Sequence, residues 1–389
     1  MSYQNIVSAG KAATITKVVV NTAHRQLDFP NLTTSLNAQN MAAAVEEISS
    51  WPEYAATPLR SLPSIAAACG VKAVYYKDEA TRFGLGSFKA LGGAYAVATL
   101  VATQTAAGKA ASEITVATAT DGNHGRSVSW GARLAGCAAK IYIHENVSQS
   151  RAQAMQNLGA DVVRIMGNYE ASLAACKRDA EAAGWEIVSD TSWDAYRTIP
   201  LQVMAGYSVM ANEALVQLGD QNLTHAILPI GVGGLAAGIV APLWQAMGDQ
   251  LCKVISVESD MSPCFQQSIS ATRPVIIDIS QETLMAGLSC GEVSQLAWEI
   301  LQPTLSHCVS ITDDAVAPIM RLLAHGLDDS PPIEAGECST AGLAVLLAAK
   351  RDPNLWLALD LGPDSVVLVL GTEGATDPEL YKSIVGAAA

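Results

Sequence analysis

From Ile114 onward the chain alternates short β-branched or apolar runs with longer stretches of helical periodicity, the pattern required by parallel strands joined through crossover helices. EITVATAT reads as a strand and Asn123 to Leu134 as a helix; AKIYIHE, SQSRAQAMQNLG and DVVRIMG follow as strand, helix and strand. NYEASLAACKRDAEAAG is an amphipathic helix stopped by its last glycine, and WEIVSD is the next strand. After Pro200 come a helix, the strand AILPI, a glycine turn, a helix to Met247 and the strand KVISVES, and near the end SVVLVLG is strongly apolar. The expectation is an α/β protein with two open, twisted sheet domains. Residues 93–205 form the smaller, and 1–92 with 206–389 the larger, discontinuous one. A chain of 389 residues has the length for both at ~100 to 200 residues per domain.

Half of the residues are hydrophobic, 15% are charged and only 5% are aromatic, so the core is built from aliphatic side chains. A formal charge of −14 repels a phosphate backbone, and nucleic acid is not an expected partner. A small anion is still compatible, because backbone N–H groups at a helix N-terminus bind phosphate locally. The opening MSYQNIVSAGKAATITKVVV lacks the basic and apolar regions of a secretion signal, and the expected compartment is the cytoplasm. Ala226 to Trp244 is uncharged over roughly the ~20 residues a bilayer requires. Its Pro229, Gly231, Gly233, Gly234 and Pro242 instead predict a buried strand, a turn and a helix, with no membrane partner. Eight scattered cysteines without a CxxC pair predict neither a zinc cluster nor a disulfide framework, and no metal is expected.

Three segments carry candidate chemistry. RFGLGSFKALGGAYAV sets Lys89 just inside a helix whose near side is small at Gly84, Gly86, Ser87, Gly92 and Gly93, so that something can approach the backbone closely. A lysine that forms an imine with an aldehyde cofactor needs that setting; the alternative is a surface lysine on an ordinary helix. TDGNHG follows the strand ITVATA at the position where open α/β sheets bind ligands. There Asp121 suits a general acid or base and Asn123 a donor to a ring oxygen, against the plainer roles of helix cap and left-handed turn. ILPIGVGGLAAG places Gly231, Val232, Gly233, Gly234 and Leu235 between strand and helix, where N–H groups and the helix dipole suit a phosphate. GVGGLA lacks the third glycine of a dinucleotide fingerprint and the GK[ST] ending of a nucleotide P-loop.

SFK with flanking glycines, GNH at a strand end, GVGGLA, and an apolar strand running into GTEG resemble, in this order, the pyridoxal-phosphate enzymes of the tryptophan synthase β fold (fold type II). The resemblance runs from about Thr57 to Tyr381. RFGLGSFKALGGAY, TDGNHGR, DTSWDAY, MAGLSCGE and GTEGATDPELY are similar, more narrowly, to the diaminopropionate ammonia-lyase branch, with Asp121 where dehydratases usually carry a serine. The resemblance implies that Lys89 is the Schiff-base lysine, with Phe88 beside the cofactor and Asn123 on its phenolic oxygen. It further implies that Gly231, Val232, Gly233, Gly234 and Leu235 hold the phosphate and that Thr372 faces the pyridine nitrogen. It adds Asp190, after WEIVSD, as a second acid alongside Asp121, where the plainer role is a turn aspartate.

The implied reaction is α,β-elimination of 2,3-diaminopropionate, in D and L forms, to pyruvate and two ammonia, on a homodimer. The alternatives are a serine or threonine dehydratase, a general eliminase of β-substituted alanines, and a non-catalytic protein retaining the fold. In this branch the positions of Cys264 and Cys290 can pair as a disulfide near the site entrance; reduced thiols are the alternative. The chain departs from the family at Gly336-Glu337-Cys338-Ser339, where an SGESG-like stretch is usual, and at GVGGLAAG, where a glycine-alanine-methionine form is usual. His124 of GNHG is expected to be structural.

Overall fold

The computed structural model describes residues 3–24, 35–120, 122–327 and 331–386, and among them the strands build two sheets. The larger has the order β1 (Ile15–Val20), β10 (Leu305–Ile311), β9 (Lys253–Ser259), β8 (His225–Pro229), β11 (Val366–Gly371), β3 (Ala73–Asp78) and β2 (Leu59–Ser61). The edge strands β1 and β2 pair antiparallel, and the interior pairs are parallel. Every residue of β8, β10 and β11 is buried, which is why AILPI and SVVLVLG are continuous apolar runs instead of alternating ones. The smaller sheet is wholly parallel, in the order β6 (Asp161–Ile165), β5 (Ala138–His144), β4 (Thr115–Ala119) and β7 (Glu186–Ile187). Its strands come from the middle of the chain, and both flanks supply the larger sheet. The span from Ala226 to Trp244 is β8, the glycine turn and a buried helix; no helix among the described residues is long and apolar enough to cross a membrane.

Four helices frame the region between the sheets: α1 (Lys89–Ala106), α2 (Asn123–Ala135), α3 (Thr198–Leu218) and α4 (Gly234–Met247). α1 packs against α2 and α3, and α3 against α4. Glycine permits that closeness. A Cβ on Gly131 would sit 2.6 Å from the Ala94 Cα, and one on Gly206 would sit 2.5 Å from the Leu91 carbonyl oxygen. The small side chains after Lys89 serve the same contacts: Gly92 lies under the Tyr207 ring and Gly93 against Ser127. At these two glycines, therefore, protein side chains take the close approach that the sequence left open to a ligand.

The topology brings distant motifs to one place. β8, β11 and β3 are parallel neighbours, with Val369 opposite Ile227 on one side and Tyr76 on the other. Their carboxyl ends deliver, along one sheet edge, the glycine turn after Pro229, Thr372 and Glu373 after Gly371, and the segment that leads to Lys89. In the smaller sheet β4 and β7 are neighbours, with Ala117 opposite Ile187, so Asn123 and Asp190 follow adjacent strand ends.

Candidate active site

The approach to Lys89 is anchored on both sides. The Phe88 N–H donates to the Thr372 carbonyl at 3.0 Å and the Gly374 N–H to the Gly86 carbonyl at 2.9 Å, which fastens this segment to the one after β11. Upstream, the Arg82 guanidinium donates to both carboxylate oxygens of Glu79 and of Glu213 at 2.8 Å, and Lys77 Nζ donates to Glu213 at 2.7 Å. All four side chains are buried, and two cations against two carboxylates leave no net charge in the cluster.

Lys89 Nζ forms an ion pair with Asp190 Oδ2 and lies 5.5 Å from the centre of the Phe88 ring. The two side chains remain 21% and 23% exposed, so the pair lines an accessible site. Burial works against the Lys89 charge, but the Asp190 carboxylate outweighs it and raises the lysine above its ordinary value. Burial likewise works against the Asp190 charge, and Lys89 outweighs it, holding the carboxyl well below the usual range. Tyr207 packs edge-on against Phe88 at 4.8 Å, and its buried hydroxyl lies beside the Lys89 ammonium. His124, buried at the start of α2, donates from Nε2 to the Val188 carbonyl at 2.9 Å, because a carbonyl can only accept.

Asn123 Nδ2 donates to Glu373 Oε2 at 2.5 Å, using one of the two hydrogens of its amide. Thr372 Oγ1 is 3.4 Å from Ser339 Oγ, which donates to the Glu373 carbonyl at 2.7 Å and accepts from the Glu373 N–H at 2.9 Å. The departure at Gly336 to Ser339 thus lies directly against Thr372. Within it, burial and then Glu373 raise the Glu337 carboxyl to about 7.

The glycine turn after β8 has Gly233 at φ +100°, and a Cβ there would meet the Phe265 ring at 2.6 Å. A Cβ on Gly231 would lie 2.9 Å from both Cys290 Sγ and the Gly287 carbonyl oxygen. The Val232 carbonyl accepts from the Ser294 N–H at 2.8 Å, and Gly234 begins the 14-residue α4 with its Cβ position 3.5 Å from the Asp190 carbonyl oxygen. The first N–H groups of a helix have no acceptor within it, so the turn is a backbone cradle for an anion beside Asp190. Such a cradle, facing a lysine, an aromatic ring, an amide and a neutral hydroxyl, fits pyridoxal phosphate. Cys264 and Cys290 are thiols around this turn and form no disulfide; Cys264 Sγ lies 3.8 Å from the Gly231 carbonyl oxygen.

The structure therefore gathers Phe88, Lys89, Asn123, Asp190, Thr372 and the Gly231 to Leu235 turn around one region, while Asp121 lies outside the described residues. Ser339 of the Gly336 to Ser339 departure belongs to it too, as do Glu373 and Tyr207, which the sequence did not single out. Glu373 had a signal, since it adjoins Thr372 in GTEG; Tyr207 had none, being one apolar position in a buried helix.

The profile of the family described as "Pyridoxal-phosphate dependent enzyme" matches residues 51–372. The diaminopropionate ammonia-lyase of Escherichia coli (strain K12) is 38% identical over 351 residues, 85% of this chain and 87% of that protein. Two crystal structures of the Escherichia coli enzyme cover 96% of this chain and 97% of theirs with TM-scores of 0.88. One is a complex with D-serine at 34% identity, the other a complex with an aminoacrylate-PLP azomethine reaction intermediate at 35%.

Proposed function

The chain belongs to the pyridoxal-phosphate dependent enzymes and, among them, to the diaminopropionate ammonia-lyase family, and from that premise we propose that it eliminates ammonia from 2,3-diaminopropionate, both D and L, giving pyruvate and a second ammonia. Its cofactor is pyridoxal 5'-phosphate and it is a carbon–nitrogen lyase. Bound pyridoxal phosphate supplies an aldehyde that amines engage and a ring that takes up the electron pair left when a Cα–H bond breaks. Lys89 would hold the aldehyde, Phe88 would adjoin it, Asn123 would donate to the phenolic oxygen, and Gly231, Val232, Gly233, Gly234 and Leu235 would hold the phosphate. Thr372 would meet the pyridine nitrogen with a neutral hydroxyl, which favours elimination over transamination.

The observation that carries the reading is the Lys89–Asp190 ion pair. A substrate β-ammonium is the same kind of charge as the lysine ammonium that Asp190 holds. A serine or threonine hydroxyl is neutral and would bring no cation to Asp190. With a substrate in the site, Lys89 Nζ takes up the α-proton from one face. Asp121, assigned from its place in TDGNHG, works at the other face or protonates the departing amine, which leaves poorly otherwise. Initial rates on D- and L-diaminopropionate, serine and threonine test this. Diaminopropionate is expected to exceed serine in kcat/KM by about tenfold or more, which is about 1.4 kcal/mol of transition-state discrimination. Equal or faster turnover of serine would favour the dehydratase.

The same reading makes the protein a cytoplasmic homodimer, with 93–205 as the smaller domain and 1–92 with 206–389 as the larger. Sedimentation of the full chain at twice the 40.5 kDa monomer mass is the expected result.

A further inference from the structure

One atom near the site has no evident use. His124 is 7% exposed, its Nε2 is committed to Val188, and its Nδ1 is buried with no hydrogen-bond partner among the described residues. That nitrogen lies 4.0 Å from Asp190 Oδ2, the same oxygen that holds the Lys89 ammonium. A buried ring nitrogen facing a carboxylate at this distance is one small rotation from a charge-assisted hydrogen bond, provided that it carries a proton.

Lys89 must shed a proton before its amine can act on an aldehyde, and the buried ring nitrogen beside Asp190 is a base within reach of that proton. We propose that His124 stores it: the proton passes from Lys89 Nζ through Asp190 Oδ2 to His124 Nδ1, which then donates to Asp190 and replaces the lysine as its cationic partner. The transfer breaks one N–H bond at Lys89 and forms one at His124, Asp190 ends as the carboxylate it began as, and the reverse transfer restores the lysine ammonium. His124 is on this account a positioning residue that acts through Asp190. The proposal rests on Lys89 being the lysine that engages the cofactor.

Among the described residues, the ionisable groups that act on the ring are Asp190, beyond β7, and Lys89, on α1. Tyr207 of α3 and Tyr196 face Asp190, and Cys290 faces Lys89. Burial lowers the proton affinity of the ring, Asp190 raises it and Lys89 lowers it, with a net value below the ordinary one. Removing the lysine charge takes away one of the two opposing influences and leaves the carboxylate.

The test is ring-nitrogen NMR of the full chain labelled with 15N-histidine, with His124→Gln, which keeps a donor for Val188, identifying the resonance. In cofactor-free wild type, His124 is expected to be neutral with its proton on Nε2 at pH 7. In the holoenzyme and in Lys89→Met, its titration midpoint is expected to rise by about one pH unit or more. The rise should disappear in Lys89→Met/Asp190→Asn and persist in Lys89→Met/Asp121→Asn. Identical midpoints in cofactor-free wild type and Lys89→Met would overturn the proposal, as would a rise that survives Asp190→Asn or is lost with Asp121→Asn. None of these readouts depends on turnover, so failure of the relay and failure of the elimination reading are distinguishable.

Discussion

Lys89 and Asp190 are 101 residues apart, and neither has its environment without the other. Asp190 keeps the lysine protonated against the pull of burial, so Asp190→Asn should lower the Lys89 pKa and enlarge its neutral, nucleophilic fraction at any pH below it. The pH midpoint for cofactor capture, followed by absorbance of the bound cofactor, should therefore move to lower pH in the variant; an unchanged or higher midpoint would contradict the assignment. The sequence placed Lys89, Asn123 and Thr372 through their motifs, because each motif is local. The contact of Asp190 with Lys89 was not legible, since it depends on β7 lying beside β4 and on the chain leaving the ladder after Ile187. The contact of Glu373 with Asn123 was hidden for a related reason: the two are 250 residues apart.

At the scale of elements, α1, α2 and α3 are held together through backbone contacts that tolerate no added methyl. Gly206→Ala would drive a Cβ to 2.5 Å from the Leu91 carbonyl, where the obstruction is backbone and cannot rotate away. The expected cost is about 1–3 kcal/mol in denaturant unfolding, typical of overpacking, and a neutral effect would show that the helices separate more easily than their packing indicates. The alternation that revealed the βα units after Ile114 was strong because those strands are apolar runs between amphipathic helices. β10 escaped notice although every residue in it is buried, because LSHCVSI interleaves polar side chains. Ser306 Oγ donates to the Val254 carbonyl at 2.9 Å, so a polar side chain in this strand can be satisfied inside, and its polarity says nothing about exposure. The edge strand β1 is half-exposed without a clean alternation and left no periodic trace.

For the molecule as a whole, buried carboxyls set the pH range of stability, and they do so with opposite signs. Glu213 titrates below its ordinary value because Arg82 and Lys77 outweigh its burial. Its contribution is present above the unfolded carboxyl pKa, about 4.3, and is lost as pH falls through the lower folded value. Glu258, buried at the end of β9, accepts from the N–H groups of Phe265 and Gln266 at 2.7 and 2.8 Å, yet burial raises it to about 8. It retains its proton where the unfolded chain has lost it, so its contribution is full at low pH and declines as pH rises from about 4.3 toward 8. The Glu258 contribution to unfolding free energy should fall from pH 5 to 8, so the slope of unfolding free energy against pH should be less negative in Glu258→Gln than in wild type; equal slopes in the two proteins would contradict this. The sequence indicated two sheets and a net negative charge, but not which acids fold inside, because a Glu at a strand end has the same spelling whether it meets solvent or a helix N-terminus.

The chemistry itself is best tested by counting products. Purified enzyme loaded with pyridoxal phosphate should release two ammonia per pyruvate from D- or L-diaminopropionate, and Lys89→Ala should release neither. A dehydratase acting on serine releases one ammonia per pyruvate. Failure of the loaded wild type to form pyruvate from either enantiomer of diaminopropionate would contradict the assignment of Lys89 and Asp190 to the elimination of an ammonium group.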